Sequence, residues 1–184
     1  LVVDKLAGAE MLVLNRMAPG TDVMPYHKIA RAVNRKIDIL YEYTDGSTHY
    51  DDIEDPLPFD LNAPVIEIGD ADFAEWYRDL GETPANYEGK TVRFKCHALK
   101  RSKMPANTFI VGRHVMTCCV EDIQFAALVC QWDKADTVQD DSWMILTAKL
   151  NFKFNKAYGR KGPVLSYVSH ELCEAPEQPV ATFY

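Results

Sequence analysis

The chain has 184 residues, 47% of them apolar, with a formal net charge of −7 and five cysteines. That is enough apolar material to bury a core in one domain of ordinary size, or in one domain plus a smaller appendage. No apolar run reaches the roughly 18–20 residues that a bilayer-crossing helix needs, and the acidic balance argues against a general nucleic-acid binder. The charge is uneven: residues 1–89 hold 7 Lys/Arg against 18 Asp/Glu, and residues 90–184 hold 13 against 9. Cys96, Cys118, Cys119, Cys130 and Cys173 are odd in number and form no CxxC, so neither a regular disulfide framework nor a zinc ribbon is written here. The chain opens on Leu-Val-Val-Asp without an initiator methionine, and the expectation is a processed or truncated piece whose removed start could have held a signal or an anchor.

In chain order, residues 1–13 are mildly apolar and lead to a turn at residues 18–22. PYHKIARAVNR (residues 25–35) places Ile29, Ala30 and Val33 at helical spacing, which predicts a short amphipathic helix. Residues 37–43 read as a strand and Asp45-Gly46 as a turn. DDIEDPLPFDLNAP (residues 51–64), with three prolines and five acids, reads as a loop or linker. Residues 65–68 resume as a strand, Asp70 is placed to cap the next helix, and Phe73, Trp76, Tyr77 and Leu80 form its apolar stripe up to a stop at Gly81.

From Lys90 the pattern has period two. Val92, Phe94, Cys96 and Ala98 alternate with Thr91, Arg93, Lys95 and His97, the mark of a half-buried strand. Further strands are expected at residues 108–116, 123–132, 143–154 and 164–172, the fourth with Met144, Leu146, Ala148, Leu150, Phe152 and Phe154 on one face. The expected fold is α+β and mainly β: a small α/β lead-in followed by a five-stranded OB-like β-barrel. The expected domains are residues 1–64, an acidic α/β segment and linker, and residues 65–184, the barrel with its preceding strand and helix. The proline-bearing tail from Pro176 should lie as an extended edge or wrap.

VIEIGDADFAEWYRDL, YEGK, GRHVMTCCVED, DSWMILTAKL and APEQPVATFY together resemble the soluble C-terminal region of the YcgQ-like family of bacterial proteins. The resemblance covers about residues 65–184, and the cysteine-pair block is its most specific part. It implies a subunit of a two-component permease: an N-terminal membrane segment outside this chain, and this domain held extracytoplasmically beside a membrane partner subunit. Where the family pattern is expected to place a glycine in the first barrel strand, this chain has Cys96-His97.

The candidate site centres on Cys118 and Cys119, with Asp122 just beyond them. Adjacent strand residues point to opposite faces, so both cysteines can serve one site only if a bulge rotates the backbone. His114 lies about 13 Å along a regular strand from Cys118 and cannot share a metal with it without a bend. Zinc, copper or another thiophilic metal would therefore need ligands from other strands, with Cys96, His97, Cys130 and Asp122 as candidates. The competing reading is packing, since free cysteine behaves as a small buried hydrophobe, and thiol redox work is a third reading.

Arg113, Arg93 and Lys95 form a weaker candidate patch for an anionic ligand, against the reading that they line a solvated outer face. The aromatics fall mainly on the core face, so no base-stacking platform is expected and nucleic acid is not the expected partner. No Gly-rich phosphate loop, GxSxG or HExxH occurs, and no catalytic residue is assigned.

Overall fold

The structure is a computed structural model and describes residues 2–53, 56–101, 104–117 and 120–183, apart from the side chain of Val3. It is α+β and mainly β. The chain divides into two compact units: Leu1–Pro56 with Thr117–Asp122 and Phe183–Tyr184, and Leu57–Met116 with Ile123–Thr182.

The first unit holds α1 (Val2–Ala7), β1 (Met11–Met17), α2 (Met24–Val33), β2 (Asp38–Tyr43) and β3 (Thr48–Tyr50). β1 and β2 pair in parallel with α2 as the crossover, and β3 adds antiparallel to β2. Leu12 and Leu14 of β1 pack on the buried cluster of Met17, Ala30, Ile37, Ile39 and Tyr41, while Met11 and Val13 are exposed. The predicted face of α2 needs correction. Ile29 is 58% exposed and His27, in the same helix, is buried. A buried imidazole is tolerated because it has a carboxylate partner, Asp51, and that partner comes from a segment read only as loop.

The second unit holds β4 (Ile66–Ile68), α3 (Phe73–Glu82), β5 (Thr91–Leu99), β6 (Thr108–Met116), β7 (Gln124–Gln131), β8 (Ser142–Asn155), β9 (Arg160–Leu172) and β10 (Val180–Thr182). Its sheet has seven strands in the order β10-β6-β7-β9-β8-β5-β4, not the five expected. The two additions are three-residue strands paired in parallel, β4 on β5 and β10 on β6. β4 is expected as a strand, and what the sequence does not show is its pairing with β5; β10 falls in the segment expected only as an extended tail. β5 also pairs with β6, so the ladders run β5–β6–β7–β9–β8 and return to β5.

Alternation builds the interior. Val92, Phe94, Cys96 and Ala98 of β5, Phe109 and Val111 of β6, and Met144, Leu146, Ala148 and Leu150 of β8 are all buried. Gly112 stands where β6 meets both neighbours, opposite His97 and Ala127. A Cβ there would run into the Ala126 carbonyl, so only glycine permits the approach.

α3 buries Phe73, Trp76 and Leu80, with Trp76 against Phe94 at a centroid distance of 4.7 Å. The helix ends against Tyr87 of the YEGK turn, whose hydroxyl donates to Asp79 Oδ2 at 2.6 Å. Gly89, at φ +77°, then turns the chain into β5, a conformation that glycine adopts without strain. The helix runs through Gly81 to Glu82, and its N-terminal cap position is Asp72 instead of Asp70. Asp70 is engaged elsewhere.

Candidate functional site

Cys118 and Cys119, the centre of the expected site, lie outside the described residues. Asp122 accepts a hydrogen bond from the Thr117 N–H at 2.8 Å. Cys96 and His97 are neighbours on a straight strand and therefore face opposite ways. Cys96 is fully buried, and burial pushes its thiol well above the ordinary range. Burial likewise pushes Cys130 up to about 12. Both thiols are therefore protonated at neutral pH and pack as small hydrophobes.

His97 stands on the outer face, stacked on Trp143 at 5.2 Å, with Nε2 2.9 Å from Asp141 Oδ1. Among the described residues no three His, Cys, Asp or Glu side chains converge on a point that could hold a metal ion.

The three cations of the weaker patch separate. Arg113 belongs to the inward row of β6 and is 1% exposed, so it does not join Arg93 and Lys95 on the outer face. Its Nη1 donates to the Asp70 carbonyl at 2.9 Å and its Nη2 to the Gln178 carbonyl at 2.6 Å, and the guanidinium lies 5.4 Å from the Phe73 ring centroid. Burial lowers its pKa, and the Asp70 carboxylate, 3.5 Å away, works against that shift. Lys95 reaches the other Asp70 oxygen at 3.0 Å. Arg93 reaches Glu67 at 3.3 Å and Glu171 at 3.5 Å. Each of the three is thus matched by a carboxylate or by carbonyls, and together they tie β5 and β6 to β4, β9, the loop before α3 and the segment before β10.

In the first unit, Asp51 forms a separate enclosed polar cluster. Its Oδ2 lies 2.9 Å from His27 Nδ1 and accepts from Arg31 Nη2 at 3.2 Å, and its Oδ1 accepts from the Tyr41 hydroxyl at 3.1 Å. Burial alone would raise the Asp51 carboxyl, yet the hydrogen bonds from His27, Arg31 and Tyr41 outweigh it and the pKa is lowered. Burial and the Asp51 charge together raise the Tyr41 phenol. His27, Tyr41 and the Asp51 carboxylate are buried and Arg31 is half-buried, and the arrangement is that of a structural clamp.

An open cleft of about 730 Å³ lies in the second unit, where the loop before β6 and the β8–β9 turn meet one edge of β6 and β7. Its described lining includes Asn107, Thr108, Gln131, Phe154 and Lys156, with no histidine, cysteine or carboxylate among the described residues. Behind Val129, which lines the cleft, the Tyr158 hydroxyl accepts from the Val129 N–H at 2.8 Å and donates to the Pro163 carbonyl at 2.9 Å, joining β7 to β9 where their ladder ends. Burial pushes the Tyr158 phenol up to about 12. Amide, hydroxyl, ammonium and one aromatic ring make a surface suited to binding and poor in proton-transfer groups.

These residues were not singled out from the sequence. Phe154 reads as a core position by alternation, and residues 158–163 read only as the stretch between two expected strands. One signal was present: between Ser142 and His170 there is no acidic residue, whereas Lys149, Lys153, Lys156, Arg160 and Lys161 all fall there.

The family model described as the DUF1980 C-terminal domain matches residues 43–181. UPF0703 protein YcgQ of Bacillus subtilis (strain 168) is 21% identical over 114 residues, which is 62% of this chain and 40% of that protein. The chain thus covers well under two thirds of that relative's length. The chain belongs to the DUF1980 C-terminal domain family, a YcgQ-like domain family of unknown function.

Proposed function

We propose that this chain is a binding module of a membrane-associated protein, an accessory domain that serves a permease from beside a membrane partner subunit. Its scaffold, in this reading, is an OB-type barrel formed by β5 to β9. The support is the strand circuit: β5, β6, β7, β9 and β8 each pair with two others, antiparallel everywhere except for β7 with β9. In barrels of this type the ligand face lies on the second and third strands and the loops after the first and fourth. The cleft at β6, β7 and the β8–β9 turn occupies that position.

The observation that carries binding over catalysis is the lining itself, since the described cleft residues offer hydrogen bonds, a cation and a ring but no acid–base pair. The membrane context rests on the resemblance to the YcgQ-like family, and YcgQ is long enough to hold further segments beyond the matched region.

The test is purification of the full-length natural protein from membranes in detergent, with and without residues 57–182. The expected result is co-purification of a membrane partner subunit, lost when residues 57–182 are deleted. Retention of that subunit by the deleted form, or its absence from the intact protein, would sink the reading.

A further inference from the structure

We infer that the β8–β9 hairpin is a docking surface for an anionic lipid bilayer, an inference that rests on the membrane context proposed above and names the partner of the same region. Three observations carry it.

The first is a core row that runs off the end of the core. Along β8 the inward positions Met144, Leu146, Ala148 and Leu150 are buried, Phe152 is half-buried, and Phe154 is 67% exposed. The hairpin is longer than the strands that cover it, so an aromatic ring selected by alternation for an interior stands in solvent. The second is charge. Lys153, Lys156, Arg160 and Lys161 neighbour that ring along the hairpin, all exposed, and none forms a salt bridge among the described residues, the nearest acid being Glu88, whose carboxylate accepts from the Phe152 N–H at 3.1 Å and shares a cleft with Lys161. Lys153 donates to the neutral Gln131 Oε1 at 2.7 Å. The third is placement. Phe154 pairs across the hairpin with Lys161, and Asn155 with Arg160, so cations stand beside the ring on one face and behind it on the other.

An exposed ring flanked by long cationic side chains matches a bilayer interface. The ring enters the boundary between headgroups and chains, and the lysine and arginine stems lie along it while their heads reach the phosphates. Single-stranded nucleic acid would ask for several rings beside the cations to stack successive bases, and in the hairpin only Phe154 is an exposed ring. A small phosphate ligand would ask for cations that converge on one point, whereas these surround an apolar tip. Each lysine or arginine near an anionic surface strengthens binding roughly fivefold. Four cations and one ring give weak binding alone and a firm orientation once the domain is tethered.

The experiment is co-sedimentation of the 184-residue chain with vesicles of phosphatidylcholine and phosphatidylglycerol, and with vesicles of phosphatidylcholine alone, at low and high salt. We expect binding to the mixed vesicles only, weakened by salt, about tenfold weaker for Phe154→Ala, and about 25-fold or more weaker for Lys156→Glu with Lys161→Glu. Far-UV circular dichroism and the thermal midpoint check that both variants stay folded; both changes are at exposed positions. Equal binding to neutral vesicles, unchanged binding by either variant, or no binding would each overturn the assignment. So would a single-stranded oligonucleotide that binds as tightly as the vesicles at matched salt, since the surface would then be a nucleic-acid site. Failure here with the membrane subunit still co-purifying removes only the lipid assignment. Vesicle binding without that subunit removes only the permease reading.

Discussion

Two sets of cations in the second unit have opposite fates. Arg93, Lys95 and Arg113, on β5 and β6, are each matched: Arg113 inside by two carbonyls and Asp70, Lys95 by Asp70, and Arg93 by two exposed glutamates. Lys153, Lys156, Arg160 and Lys161, on the β8–β9 hairpin, face solvent with no carboxylate partner among the described residues. The first set came to notice in the sequence as a candidate anion site and is used up by the fold. The second, spread from the end of one expected strand to the start of the next, drew no reading as a site and is available. A charge that the fold has already neutralised can stabilise a junction, but it offers an incoming anion little that its present partner does not already take. Asp51 in the first unit extends the contrast, as a carboxylate enclosed by His27, Arg31 and Tyr41.

The largest effect should follow from emptying the inside. Arg113→Ala removes a buried cation and strands the Asp70 and Gln178 carbonyls, and it is expected to lower unfolding free energy in urea by roughly 3–5 kcal/mol. A loss no larger than that of Arg93→Ala would break the comparison, because burial would then not separate the two.

Next comes Asp51→Asn, with an expected loss of roughly 2–3 kcal/mol near neutral pH. The Asp51 pKa is lowered in the fold, so its contribution is fully present above the unfolded carboxylate value of about 3.9 and disappears as pH falls through the folded value. The urea midpoints of the two proteins should therefore converge below about pH 4. A difference that persists unchanged into acid would mean that the clamp acts by shape and not by charge.

Smallest of all, Arg93→Ala should cost under about 1 kcal/mol, as exposed pairs do. Lys156→Glu with Lys161→Glu should change stability by no more than about 0.5 kcal/mol. A hairpin variant that destabilises the fold would sharpen the picture in the other direction, by showing that these cations have structural work after all.

The legible parts of this protein were those governed by local periodicity. The period-two stretches of β5 and β6 gave their strands to the residue, and α3 was visible from its Phe73, Trp76 and Leu80 stripe. β4 was read as a strand but not as a member of the sheet, and β10 was read only as an extended tail; each is three residues long and exists through its partner. At the candidate site, alternation placed Cys96 inward and His97 outward, as found, while the cysteine pair itself lies outside the described residues.

Alternation also assigned Phe154 to the core, and there the inference failed for a definite reason. Period two says which face a side chain takes and nothing about whether another strand reaches far enough to cover it. In the same way, composition counted the cations but could not say which would find a carboxylate, because Glu67 and Glu171 reach Arg93 through the ladders and Asp70 reaches Lys95 and Arg113 from the loop before α3. The sequence by itself determined the family, the mainly β class, the strand faces and the acid-free stretch from Ser142 to His170. Only the tertiary structure decided which charges are spent: pairing depends on side chains far apart in the chain meeting within a few ångströms.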